Sequence, residues 1–288
     1  MWIRFLQKSA NNLMTDGVGI HEPKLAVPDL SVIPKSVMDY AVKMAQDASD
    51  IARKKINAYA DELVSTYMAA RDKDIVIFFN SGGMGWNLTK DTPGWASILN
   101  GITCHLEKLG HQPLVLNYRR TGSRLRDSIR EFFEAAYRYP HKTKDFARRV
   151  IFLLDNLPQI KVIVAGESTG TVISEKAMRL LADRECVYSI QTGMPFWHTP
   201  AVHERTLSMN DNGLRLDTFH YKQVRAILWA TFKSWFGVKL QPGTILSWLK
   251  APGHDYSWQY PGVSSAVIEF LNKNFADKNT TAMNGGIS

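Results

Sequence analysis

Apolar positions recur along this chain with two periods, and the change falls near Asp74. From Lys35 to about Arg71 there is neither Gly nor Pro, and Met38, Ala41, Ala45, Ala48, Ala52, Ile56, Tyr59, Leu63 and Tyr67 return every three or four residues. That spacing predicts one face of a long amphipathic helix. Its other face carries Lys43, Asp47, Asp50, Lys54 and Lys55. Residues 1–35 hold scattered Gly and Pro with no clear period and read as a loop-rich arm.

From Asp74 onward, short continuous apolar runs alternate with helical patterns. The runs at 74–80, 112–118, 161–165, 186–191, 205–210 and 244–249 predict strands. The stretches 93–109, 122–137, 142–157, 171–183, 220–236 and 264–275 predict helices. Strands without polar alternation, separated by helices, imply a mainly parallel sheet covered on both faces. The expected division is an N-terminal arm and helix over 1–73, one α/β domain over 74–276, and a disordered tail over 277–288.

Composition changes this picture little. The chain of 288 residues is 45% hydrophobic and 22% charged, enough to fill a core. No apolar run approaches the roughly 18 residues of a membrane-spanning helix, and the N-terminus makes a poor signal peptide. Two cysteines, Cys104 and Cys186, are too few for a disulfide scaffold or a cysteine-built metal site, so a cytoplasmic protein with free thiols is expected. The net charge of +8 is compatible with an anionic membrane surface. Nucleic acid is not indicated: Arg119, Arg120, Arg124, Arg126, Arg130, Arg148 and Arg149 are interleaved with acids, no binding motif accompanies them, and they read as a solvated basic surface.

The chemistry-bearing segment is Gly166-Glu167-Ser168-Thr169-Gly170, a G-x-S-x-G between the strand KVIVA and the helix TVISEKAMRLL. A serine on so sharp a strand-to-helix turn is strained, and the glycines two before and two after it relieve crowding. The turn lifts the hydroxyl above the sheet and aims a helix N-terminus, with the Thr169 N–H, at the same point.

A serine nucleophile needs a base. His254, in the loop before the last helix, emerges at the same end of a parallel sheet as the serine. The acid should follow the strand before the 220–236 helix. Asp217 is preferred and Asp211 is the alternative, although Asp211 abuts an Asn-Gly turn signal. A second oxyanion donor fits Asn80-Ser81-Gly82-Gly83-Met84-Gly85, most naturally the N–H of Gly83 or Met84. That run lacks the G-K-[ST] of a phosphate loop. His198 and His203 are spaced too loosely for a metal pair, and neither a metal nor a cofactor is expected.

Together these residues resemble the α/β-hydrolase superfamily over about 74–276, in the order strand, NSGGMG, GESTG, acid, GHDY. The resemblance implies an eight-stranded, mostly parallel sheet and hydrolysis of carboxylic esters through an acyl-enzyme, with Ser168, His254 and the acid as triad. The usual antiparallel strands before the first parallel one are not evident in residues 1–73, and 191–244 is short for a large lid. The expected partner is a small-molecule or lipid ester. A thioesterase or acyltransferase would use the same triad, and a non-catalytic binding protein could share the fold. Trp86, Trp95, Phe196, Trp197, Trp229, Trp235 and Trp248 could line a pocket or fill the core, and the 226–237 segment reads as a cap or interfacial helix. Oligomeric state is not readable.

Overall fold

The structure is a computed structural model that describes residues 33–48, 51, 53–83, 92–118, 139–199, 204–237 and 250–276. Among the described residues five parallel strands form the sheet, where the resemblance implied eight: β1 (Ile75–Asn80), β2 (Pro113–Asn117), β3 (Lys161–Glu167), β4 (Val187–Thr192) and β5 (Thr206–Met209), in the order β2-β1-β3-β4-β5. Each lies within two residues of a predicted strand. The expected strand at 244–249, the helix at 122–137, most of the N-terminal arm and the tail lie outside the described residues.

Period-two alternation explains the layering. Val76 and Phe78 of β1, with Val162 and Val164 of β3, face one side. There they meet Phe146, Val150 and Leu153 of α4 (Pro140–Asn156) and Val172 and Ile173 of α5 (Thr169–Leu180). Ile75, Ile77 and Phe79, with Ile163, face the other side. They meet Trp95, Ile98 and Ile102 of α3 (Pro93–Lys108) and Val267 and Leu271 of α7 (Pro261–Phe275). Every residue of β1 is buried, which is why its sequence shows no polar alternation.

The long N-terminal helix is two helices, α1 (Lys35–Asp47) and α2 (Ile56–Ala70), with a 3₁₀ turn at Arg53–Lys55. Ala48 ends α1 in an extended conformation, although no Gly or Pro marks the break. Packing is the cause. One helix over 35–71 would be about 55 Å long, whereas folding back lets Val37, Ala41 and Ala45 of α1 join Tyr59, Leu63 and Val64 of α2 around Phe152 of α4. Met38, predicted on the buried face, is exposed instead.

Two arginines depart from the expected solvated surface, Arg148 with a buried Nε and Arg149 with a largely buried, paired guanidinium. Arg149 ties α2 to α4, donating to Glu62 at 2.7 Å and to Asp145 at 3.2 Å, and its guanidinium lies over the Tyr59 ring. Tyr118 also donates to Asp145, at 2.6 Å. Arg119 through Arg130 lie outside the described residues.

The strand register brings the sheet's C-terminal ends to one level: Asn80 aligns with Gly166, Glu167 with Thr192, and Thr192 with Met209. Strand order reverses between β1 and β3, so the loops after these two strands flank the crevice where α/β sheets hold ligands.

Candidate active site

Ser168 sits between β3 and α5 with φ 48° and ψ −120°, a backbone conformation that strains any residue with a side chain. Its surroundings hold it there. The Ser168 N–H donates to Thr192 O at 2.9 Å, and the Thr171 N–H and hydroxyl both donate back to Ser168 O. The two glycines are steric necessities. A Cβ on Gly166 would lie 2.7 Å from Ser174 Oγ, and one on Gly170 would run into the Asn80 carbonyl.

His254 lies above the serine, with Nε2 3.1 Å from Ser168 Oγ and Nδ1 2.7 Å from Asp217 Oδ2. An ionised carboxylate only accepts hydrogen bonds, so Nδ1 carries the proton and the Nε2 lone pair faces the serine O–H. Asp217 is wholly buried and uses both oxygens. Oδ1 accepts the N–H groups of Phe219 (2.9 Å) and His220 (3.1 Å), and Oδ2 also accepts the Tyr256 hydroxyl at 2.9 Å. Burial first, then the charge of Asp217, pushes the Tyr256 phenol far up, so it remains a donor.

Asp211, the alternative acid, is not at the histidine. It is exposed, pairs with Leu216 in an antiparallel bridge and accepts the Gly213 N–H at 3.0 Å. The Asn-Gly beside it is a turn, and Asp211 is part of that turn. Asp255 points away from the site and accepts from Tyr260.

Of the residues predicted to receive an oxyanion, Thr169 opens α5, with its N–H at the helix N-terminus beside Ser168. The Thr169 hydroxyl donates to Gly83 O at 2.8 Å, and Gly83 has φ 56°. Met84 lies outside the described residues. Glu167, which sequence reasoning passed over, accepts the Gly82 N–H at 3.1 Å and anchors the loop to the elbow. The Gly82 N–H is therefore engaged, and Gly83 stands next along the loop.

Phe219 and Tyr256 were also missed, because neither carries a motif. Phe219 meets the His254 ring edge-on at 4.9 Å, and Trp197 and Phe196 continue the cluster outward to half-exposed positions. Trp95 belongs to the core and donates to Thr192 Oγ1 behind the elbow. Trp86 and Trp248 lie outside the described residues. His198 pairs with Glu175 of α5 at 2.9 Å, and His203 lies outside the described residues. Among the described residues no group of three or more His, Cys, Asp or Glu could hold a metal ion. No helix there is long and apolar enough to cross a membrane.

The parallel sheet, its strand order and the strand–serine–helix elbow define an α/β-hydrolase fold, here with a helical N-terminal extension. Among solved structures the chain is similar to Trichoderma reesei cutinase in complex with a C11Y4 phosphonate inhibitor. That match has 13% identity over 84% of this chain and 94% of that one, with a TM-score of 0.40. No family model matches the sequence, and no curated protein matches it. The fold assignment rests on the chain's own strand order, register and elbow.

Proposed function

We propose that this chain is a serine hydrolase of carboxylic esters. The observation that supports it is the continuous hydrogen-bonded line from Ser168 Oγ through His254 to Asp217, with the serine in a strained elbow. As Ser168 Oγ attacks the acyl carbon, its proton passes to His254 Nε2. Asp217 keeps the imidazole oriented and balances the charge it gains. Negative charge on the former carbonyl oxygen is received by the N–H groups of Thr169 and Gly83. Collapse releases the alcohol, which takes the proton from Nε2, and leaves an acyl-enzyme. Water then attacks the acyl carbon and gives a proton to the same nitrogen, and the acid leaves as Ser168 Oγ takes that proton back from Nε2.

The test is a fluorophosphonate probe on folded protein, with the adduct located by mass spectrometry. Labelling of Ser168, lost in Ser168→Ala, is the expected result; an unlabelled Ser168 overturns the proposal. Panels of esters and thioesters, with and without an alcohol acceptor, then separate hydrolase from thioesterase and acyltransferase.

A further inference from the structure

The helix α6 (Val224–Trp235) is built inside out. Ala230 and Thr231 are its buried positions. Leu228, Trp229 and Phe232 point to solvent, followed by Trp235 and Phe236, which are 74% and 71% exposed. These side chains cover one another: Trp229 stacks on Phe232 at 5.9 Å and Phe232 meets Phe236 at 4.7 Å. Soluble proteins seldom leave so large a contiguous apolar patch without a partner.

The charge around this patch is one-sided. From Thr218 to Gly237, on α6 and the turn before it, the sequence holds three cations, Lys222, Arg225 and Lys233, and no acid. Two of the cations lie against the aromatics, Lys233 over the Trp229 ring at 4.9 Å and Lys222 over the Phe196 ring at 5.4 Å.

We infer that α6 docks this protein on an anionic bilayer surface, its aromatic stripe in the headgroup–acyl boundary and its cations among the headgroups. Tryptophan and phenylalanine flanked by Lys and Arg is the composition such a boundary selects. A second copy fits less well, because a self-complementary interface would set the same cations against each other. Docking would also place the site close to the bilayer. Seven residues before α6, Asp217 holds His254, and Phe219 beside it leads through Trp197 and Phe196 toward the exposed rim. The docking itself is independent of the reaction proposed above.

The test is flotation with vesicles of phosphatidylcholine alone or with about 30% phosphatidylserine, at about 0.05 M and 0.5 M salt. The Ser168→Ala protein is run in parallel, so that loss of hydrolysis and loss of binding are read separately. The expected result is binding to the anionic vesicles at low salt, at least about tenfold weaker on phosphatidylcholine alone and weakened again by high salt. Trp229→Ser/Trp235→Ser and, separately, Arg225→Glu/Lys233→Glu should each lower binding about tenfold or more, with hydrolysis of a water-soluble short-chain ester unchanged. The charge-reversed pair keeps the test open if the aromatic pair misfolds. Absence of binding to anionic vesicles overturns the inference. So does binding untouched by both pairs, or a lipid-free dimer that the aromatic pair dissolves.

Discussion

The Tyr256 hydroxyl and the His254 ring share one oxygen, Asp217 Oδ2, at 2.9 and 2.7 Å. Tyr256 thus fixes the carboxylate on the oxygen opposite its two backbone donors, and in the proposed reaction it would act only through Asp217. Tyr256→Phe removes one of four hydrogen bonds, a loss of about 1 kcal/mol. A fall in kcat of about fivefold with KM unchanged is expected. A purely structural tyrosine would instead lower Tm and leave kcat of the folded fraction intact. Measuring both on the same samples decides between them.

The two candidate acids make a sharper contrast. Asp217→Asn keeps the shape, but its one oxygen stays with the Phe219 and His220 N–H groups and its NH2 then faces His254 Nδ1, which favours the wrong tautomer, so kcat should fall by about 10⁴-fold. Asp211→Asn, on an exposed turn, should leave kcat within about twofold. If both variants lose activity equally, Asp217 does not serve as the acid and the proposed mechanism is wrong.

Much of this site was legible because a parallel sheet fixes where its loops emerge. The G-x-S-x-G run between strand and helix pointed to Ser168 and chain order pointed to His254, and the two lie 3.1 Å apart. The acid was not decided by sequence, because Asp211 and Asp217 both follow β5 within a few residues. The structure turns Asp217 inward, buried against His254, and leaves Asp211 exposed on its turn. Glu167 and Tyr256 carry no local signal, since their partners are 85 and 39 residues away in sequence. The break between α1 and α2 was hidden for a related reason: periodicity reports which face is apolar, not where the helix folds back to share a core.

Glu167 makes a separable contribution. Its carboxylate holds the Gly82 N–H beside the elbow, so Glu167→Ala frees the loop that carries Gly83. Loss of a positioned oxyanion donor predicts a fall in kcat of about 10- to 100-fold with KM little changed. Glu167→Gln retains an acceptor oxygen and should recover most of that rate, to within about threefold. Steady-state kinetics on the two variants provides the check, and equal losses would show that the charge, not the anchor, matters.

The Asp145–Arg149 pair predicts how the fold responds to acid. Burial alone would raise the Asp145 carboxyl, but the charge of Arg149 and the Tyr118 hydroxyl outweigh it and hold the group below its ordinary value. A carboxyl depressed in the folded state contributes stability above its unfolded pKa of about 3.9, and that contribution is lost as pH falls through the lower folded value. Wild-type Tm should therefore drop steeply below about pH 4. In Asp145→Asn the neutral-pH stability should be lower by about 3 kcal/mol, because Arg149 keeps only Glu62. The variant's Tm should also change less than the wild type's between about pH 4 and 2.5. Thermal melts of both proteins across that window measure the difference, and parallel curves would show that Asp145 takes no proton in acid unfolding.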